Sequence, residues 1–422
     1  MTVLTALVLL VTACGGGRDD DESSGDDEDS ESDGGPPPEV PGFDGETIRL
    51  GVITPTSGRV AVIGEPLTNG NRAYWEYVNE ELGGVAGEYQ VELVIEDSAY
   101  DPPVAVQKYN QIKGDVVMFN QLLGTPVVNA VLEQLKTDNI VAQPATLDSF
   151  WVREQNLLPI GAPYQIQAIN GLNWYVTEGG GSEESKICSL VQDDPYGEAG
   201  QEGVDFALEN LGIELTDSAS FTVGNPDFTT QITQLQGSGC EAVWLTSTPT
   251  DTATALSKAA ELGFNPLWLG QSPSWIGAFV QSPLMPYLEA NYVWVSEGPE
   301  YGDEEVEGMS ELIRIQETYA PDQAPDPYFN FGYLESRAVH QVLEAAVENG
   351  DLSREGIIEA MNSIDELTFD GLFGDYPWGA PEDRDPPRAS SIFKPNAEKP
   401  IGLELVVERH EAPFAADFEF GE

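Results

Sequence analysis

Apolar residues along this chain gather in short runs, separated by longer stretches of helical period. Residues 47–54, TIRLGVIT, read as a buried strand. Over 63–82, Leu67, Ala73, Tyr74, Tyr77 and Val78 recur at helical spacing and the pattern stops at Gly83-Gly84. Val91, Leu93 and Ile95 alternate through a strand over 90–95. A helix is predicted over 102–113, with proline near its first turn. A strand over 116–119, a helix over 127–136 and a strand over 140–143 follow. This order is that of a parallel sheet with helices on both faces. It then repeats, with strands over 186–191, 214–221, 242–246 and 267–269 and helices over 197–211, 227–235 and 250–262. A further strand is predicted over 292–295, a long helix over 328–347 and a shorter one over 354–364. The end, 365–422, is rich in Pro, Gly and Asp around a strand-like 402–407. The fold class is therefore α/β, with two Rossmann-like lobes.

Familiar chemistry is missing from this frame. No G-x-G-x-x-G follows the first strand of either lobe, and no P-loop or G-x-S-x-G elbow occurs. The two histidines, His340 and His410, and three cysteines form no H-E-x-x-H or C-x-x-C. No metal and no cofactor is expected. The 422 residues suit two or three domains, and 41% hydrophobic content suffices for real cores. The net charge of −55 repels phosphate backbones and anionic headgroups, which argues against nucleic acid and electrostatic membrane docking.

The N-terminus adds a location. Residues 3–11, VLTALVLLV, have the length of a signal-peptide h-region and fall short of the about 20 residues that span a bilayer. They end in Val11-Thr12-Ala13-Cys14, which resembles a bacterial lipobox with Cys14 as the lipidated residue. A plain secretory peptide is the alternative. Residues 1–14 are thus read as a lipoprotein signal ending at Cys14. Residues 15–46 carry a charge of −12 and read as an acidic, disordered, extended linker. The remainder still carries −43, which suits exposure to a saline exterior.

Several segments resemble type I periplasmic binding proteins of the branched-chain amino acid and amide family, the extracytoplasmic receptors of ABC importers. Ile48–Gly64 is similar to the family's opening strand and first cleft loop. Asn79–Gly87 resembles its "N-x-x-G-G-i-x-G" turn, with one extra residue before the glycines. Glu96–Pro102 resembles "D-D-x-x-x-P", Gln192–Gly197 resembles "D-x-x-Y-G", and Phe331-Gly332-Tyr333 falls where the family has an aromatic run. The resemblance covers essentially 47–408. It implies two lobes, three hinge crossovers and a cleft that closes on a small ligand. The family's crossovers give lobes of 47–163 plus 298–388, and 164–297 plus 389–422.

Ligands of open α/β sheets bind at the carboxyl ends of strands. The resemblance places Ile63, Tyr196 and Thr248 there, along with Gly124, Thr125, Ala145, Thr146, Tyr164, Gln271 and Ser272 on neighbouring loops. Thr125 precedes a helix, so its hydroxyl and the free N–H groups can hold a carboxylate, cap the helix, or both. Ala145 and Thr146 sit in a loop one residue shorter than the family's. Amino-acid binders of the family carry acids near 164 and 271, which would hold an ammonium. Here those loops read Ala162-Pro163-Tyr164 and Leu269–Trp275. Trp151, Tyr164 and Trp275 are candidate aromatic walls, or simply packing residues. The expected ligand is an amide, or an aromatic or aliphatic carboxylate. Leucine, isoleucine and valine are expected to bind weakly, because a buried ammonium would lack a partner.

Cys188 and Cys240 lie near the amino-terminal ends of strands expected to be neighbours, and export places them in an oxidising compartment, so a structural disulfide is expected. The leading reading is a monomeric solute-binding lipoprotein on the outer face of the cytoplasmic membrane, delivering a small molecule to ABC permease subunits. A ligand-sensing subunit of a signalling system is the alternative, and an extracellular enzyme a more distant one.

Overall fold

The computed structural model describes residues 36–421. Cys14, the lipobox and the tether as far as residue 35 lie outside the described residues. No helix among the described residues is long and apolar enough to cross a membrane.

The first lobe opens with β1 (Thr47–Thr54), α1 (Ala61–Tyr77), β2 (Gln90–Asp97) and α2 (Pro102–Ile112). It continues through β3 (Met118–Leu123), α3 (Thr125–Asp138) and β4 (Ala142–Ala145). The four strands run parallel in the order β2-β1-β3-β4. Then come α4 (Tyr164–Thr177), β5 (Ile187–Gln192), α5 (Pro195–Leu211), β6 (Asp217–Phe221) and α6 (Thr229–Ser238). After these are β7 (Ala242–Thr246), α7 (Pro249–Leu262), β8 (Leu267–Gln271), α8 (Met285–Asn291) and β9 (Tyr292–Ser296). Three helices return to the first lobe: α9 (Met309–Tyr319), α10 (Pro327–Glu348) and α11 (Arg354–Ser363). Short β10 (Glu366–Leu367) and β11 (Tyr376–Pro377) pair with each other. Finally β12 (Ser390–Pro395) and β13 (Leu403–His410) join the second sheet, whose order is β13-β12-β9-β8-β7-β5-β6. β12 runs antiparallel to β9, because the chain re-enters this lobe from the far side.

Where structure and sequence pattern differ, the reasons are local. β3 and β4 start two residues later than the apolar pattern suggests. Their buried polar residues hide the strand: Asn120 Oδ1 accepts from Trp75 Nε1 at 2.9 Å, and Gln121 Nε2 donates to Thr54 Oγ1 at 2.7 Å. Helix α4 carries no helical period in its sequence because it is buried on nearly every face. The extra residue before Gly83-Gly84 is absorbed by a π-helical turn over Val78–Leu82, which ends at Gly83 with φ +83°.

The linker expected to run to residue 46 requires a correction. Phe43 is buried and meets the Tyr89 ring edge-on at 5.2 Å, and Arg49 donates its N–H to Gly42 O at 2.7 Å. Gly42 turns at φ +88° against Val116, where a Cβ would fall 2.3 Å from backbone. The average composition of 15–46 concealed Val40-Pro41-Gly42-Phe43, which has apolar surface to bury.

Cys188 and Cys240 form a disulfide with their Cα atoms 5.8 Å apart. Cys188 in β5 lies opposite Val243 in β7, so the bond staples adjacent strands at the end remote from the cleft.

Candidate functional site

The carboxyl ends of both sheets face one cleft, and the lobes meet across it. Thr250 Oγ1 donates to Arg59 O at 2.9 Å, Tyr328 OH to Pro273 O at 2.8 Å, and Gly277 N to Asp326 Oδ2 at 3.3 Å. Between them lies a cavity of about 130 Å³.

One part of the cavity wall is a chain of hydroxyls. Thr125 opens α3 directly after Gly124, and no side chain caps that helix end. Thr125 Oγ1 lies 2.8 Å from Thr146 Oγ1, which lies 3.1 Å from Tyr164 OH. The Tyr196 ring meets that of Tyr164 at a centroid distance of 4.9 Å and 60°. Each hydroxyl both donates and accepts, so the row can turn its donors towards an incoming oxygen anion. Burial holds the phenols of Tyr164 and Tyr196 far above their usual range, so they remain neutral donors.

Much of the remaining wall is apolar. Trp294, Met309, Leu312, Phe373, Phe393 and Ile401 all face the cavity. This set comes from β9, α9, β12 and the segments beside them, so it has no single signature in the sequence.

Of the ten residues singled out from the sequence, Ile63, Gly124, Thr125, Ala145, Thr146, Tyr164, Tyr196, Thr248 and Ser272 line the cavity. Gln271 does not. Its side chain turns into the second lobe, where Oε1 accepts from Trp244 Nε1 and Thr246 Oγ1, both at 3.2 Å. Gln271 closes β8 with its side chain against α5, where a Cβ on Gly200 would fall 2.9 Å from Oε1. Trp151 and Trp275 are fully buried packing residues, bonded through Nε1 to Asn129 Oδ1 and Ile401 O.

The loops at 162–164 and 269–275 carry no acid, yet the wall has one from another segment. Glu297, directly after β9, lines the cavity. Its Oε2 accepts the N–H of Ala162, and its Oε1 accepts the N–H of Gly374 at 2.9 Å. Burial pushes its carboxyl up to about 7. The signal available in the sequence was an acid placed at a strand's carboxyl end. Among the described residues, no Lys, Arg or His lines the cavity.

Two lobes built on largely parallel sheets, with a cleft at the carboxyl ends of the strands, define the class of two-lobed binding proteins. The chain belongs to the periplasmic binding protein family, whose profile matches residues 47–399. A fatty acid ABC transporter substrate-binding protein from Thermomonospora curvata superposes with a TM-score of 0.84 at 25% identity, over 91% of this chain and 98% of that one. A branched-chain amino acid ABC transporter protein from Thermus thermophilus, solved with bound valine, gives 0.74 at 15% identity over 88% and 98%, a likeness of fold alone. The Leu/Ile/Val-binding protein homolog 3 of Brucella melitensis is 28% identical over 200 residues, 47% of this chain and 53% of that protein. The chain spans about half the length of the curated relatives it matches.

Proposed function

We propose that this protein is the extracytoplasmic substrate-binding lipoprotein of an ABC importer, and that its cargo is a carboxylate on a long apolar chain, of the fatty-acid type. The observation that carries this reading is the shape and chemistry of one cavity: a row of hydroxyls leading into a wall of aliphatic and aromatic side chains. An α-amino acid would bring an ammonium that needs a carboxylate. Glu297, the single acid in the wall among the described residues, already serves two backbone N–H groups. The solved fatty acid transporter protein from Thermomonospora curvata, alike over nearly its whole length, supports the same cargo class.

In this reading the lobes, 47–163 with 298–388 and 164–297 with 389–422, turn about the crossovers that join them. The protein acts as a monomer, tethered through lipidated Cys14, and presents its cargo to permease subunits. Displacement of a fluorescent fatty acid by dodecanoate, hexadecanoate, leucine and valine tests the cargo. Micromolar displacement by the two fatty acids and none by the amino acids is expected. Tight binding of valine with no binding of either fatty acid overturns the reading.

A further inference from the structure

Two consecutive residues without glycine's freedom adopt left-handed backbone at the edge of the cavity: Ala99 at φ +50° and Tyr100 at φ +61°. Each such conformation costs about 1–2 kcal/mol. The turn is held from several sides. Asp97 Oδ1 accepts the N–H of Ala99 at 2.8 Å and of Thr56 at 3.0 Å, and Ser57 Oγ donates to Asp97 Oδ2 at 2.6 Å. Ser98 Oγ accepts the N–H of Tyr100 at 3.2 Å. A glycine at 99 or 100 would make the same turn at no steric cost. The backbone alone therefore does not account for a tyrosine here.

The ring does. Tyr100 lines the cavity and lies over Gly124, where a Cβ would come within 2.4 Å of Tyr100 Cε2. Gly124 itself sits at φ +106°. Thus a strained turn on one loop and a missing side chain on the next share one consequence, the placement of this ring. From there the ring, belonging to the first lobe, shares the cavity wall with Tyr196 and Thr248 of the second. Burial keeps the phenol protonated, so it remains a donor.

We propose that Tyr100 is the closure residue of the cleft: its ring covers the hydroxyl-lined part of the cavity, between Gly124 of the first lobe and the wall that carries Tyr196 and Thr248 of the second, and the residue sets how slowly ligand escapes. The assignment rests on the binding reading above but not on the identity of the cargo.

Stopped-flow release of cis-parinaric acid separates this role from a structural one. Tyr100→Gly should release the probe at least about tenfold faster than wild type, while its ligand-free stability falls by less than the lost ring contacts alone would cost, because glycine removes the backbone strain. Ala99→Gly should raise the unfolding temperature and leave release unchanged. Tyr100→Phe, which keeps the ring, should stay within about twofold of wild type. Release from Tyr100→Gly as slow as from wild type overturns the proposal. So does a Tyr100→Gly variant whose ligand-free stability falls in step with its binding. If wild type takes up no parinaric acid, the fatty-acid reading fails by itself. Closure is then read without ligand by small-angle scattering, where Tyr100→Gly should be more extended than wild type and identical profiles would overturn the assignment.

Discussion

Glu297 and Ala162 are joined by a hydrogen bond from the backbone N–H of one lobe crossover to the carboxylate at the end of β9. The same carboxylate takes the N–H of Gly374, from the segment that leads to β11. One side chain thus ties three distant stretches of chain where they pass beside the cavity. A carboxylate suits this task because it has lone pairs for both donors. Its cost is a charge held away from water.

That cost sets a pH dependence. Glu297 is pushed up to about 7, and so is Asp326, which caps α10 and reaches Gly277 across the cleft. In the unfolded chain both ionise near their ordinary values of 4.5 and 3.8. Between those values and about 7 the folded state holds protons that the unfolded state has lost, so stability falls as pH rises. The stability these groups contribute is complete below about 4 and gone above about 7. Urea unfolding in high salt should give a protein more stable at pH 5 than at pH 8, by on the order of a few kcal/mol. Glu297→Gln combined with Asp326→Asn should flatten that slope. An unchanged slope in the double variant would show that other groups cause it.

The disulfide makes a prediction of the opposite kind, stability without function. Cys188 and Cys240 close a loop of 52 residues between β5 and β7, at the far end of the sheet from the cavity. Replacing both by alanine should cost roughly 2–4 kcal/mol by the loop-closure range. Affinity for a bound fatty acid should stay within about twofold of wild type. A variant that folds as stably as wild type, or that loses affinity in proportion, would contradict this assignment.

Much of this molecule is legible before any coordinates. The strand–helix alternation, the two lobes and most of the cleft loops follow from apolar periodicity and from short segments such as Gln192–Gly197. What was hidden has physical causes. Gln271 lies within one residue of a cleft position, yet its side chain is taken up by Trp244 and Thr246 inside the second lobe, and a register of one residue cannot be read from loop sequence. Glu297 stands on a strand end predicted correctly, but its partners Ala162 and Gly374 are more than 70 residues away along the chain. Tyr100 belongs to a recognised segment. Its left-handed backbone, which aims it at the cleft, has no sequence marker because the usual marker is glycine.

Cys14 lies outside the described residues, and its role is testable directly. In a host that processes lipoproteins, the full chain should partition into the membrane fraction. Cys14→Ala should release it, since stable anchoring takes more than one acyl chain attached at that residue. Equal solubility of the two forms would remove the lipobox from the account.

The apolar wall should act as a ruler for the cargo. Each methylene buried is worth about 0.8 kcal/mol, close to a fourfold gain in affinity. Binding of saturated fatty acids should therefore tighten steadily with length until the cavity is full. Beyond that, extra carbons force the well-packed wall apart or stay in water, and affinity should level off or fall. Leu312 on α9 faces the cavity and is fully buried, so Leu312→Phe fills space that the distal carbons would occupy. The optimum should shift to shorter chains, with affinity for the shortest binders nearly unchanged, since these stay beside Thr125, Thr146 and Tyr164. Leucine and valine, too short to fill the wall and carrying an ammonium without a free acid to meet it, should sit at the weak end of the series. Calorimetry across the acids, on wild type and Leu312→Phe, measures all of this in one experiment. A series with no dependence on length, or an optimum that ignores Leu312→Phe, would mean that the cargo lies elsewhere.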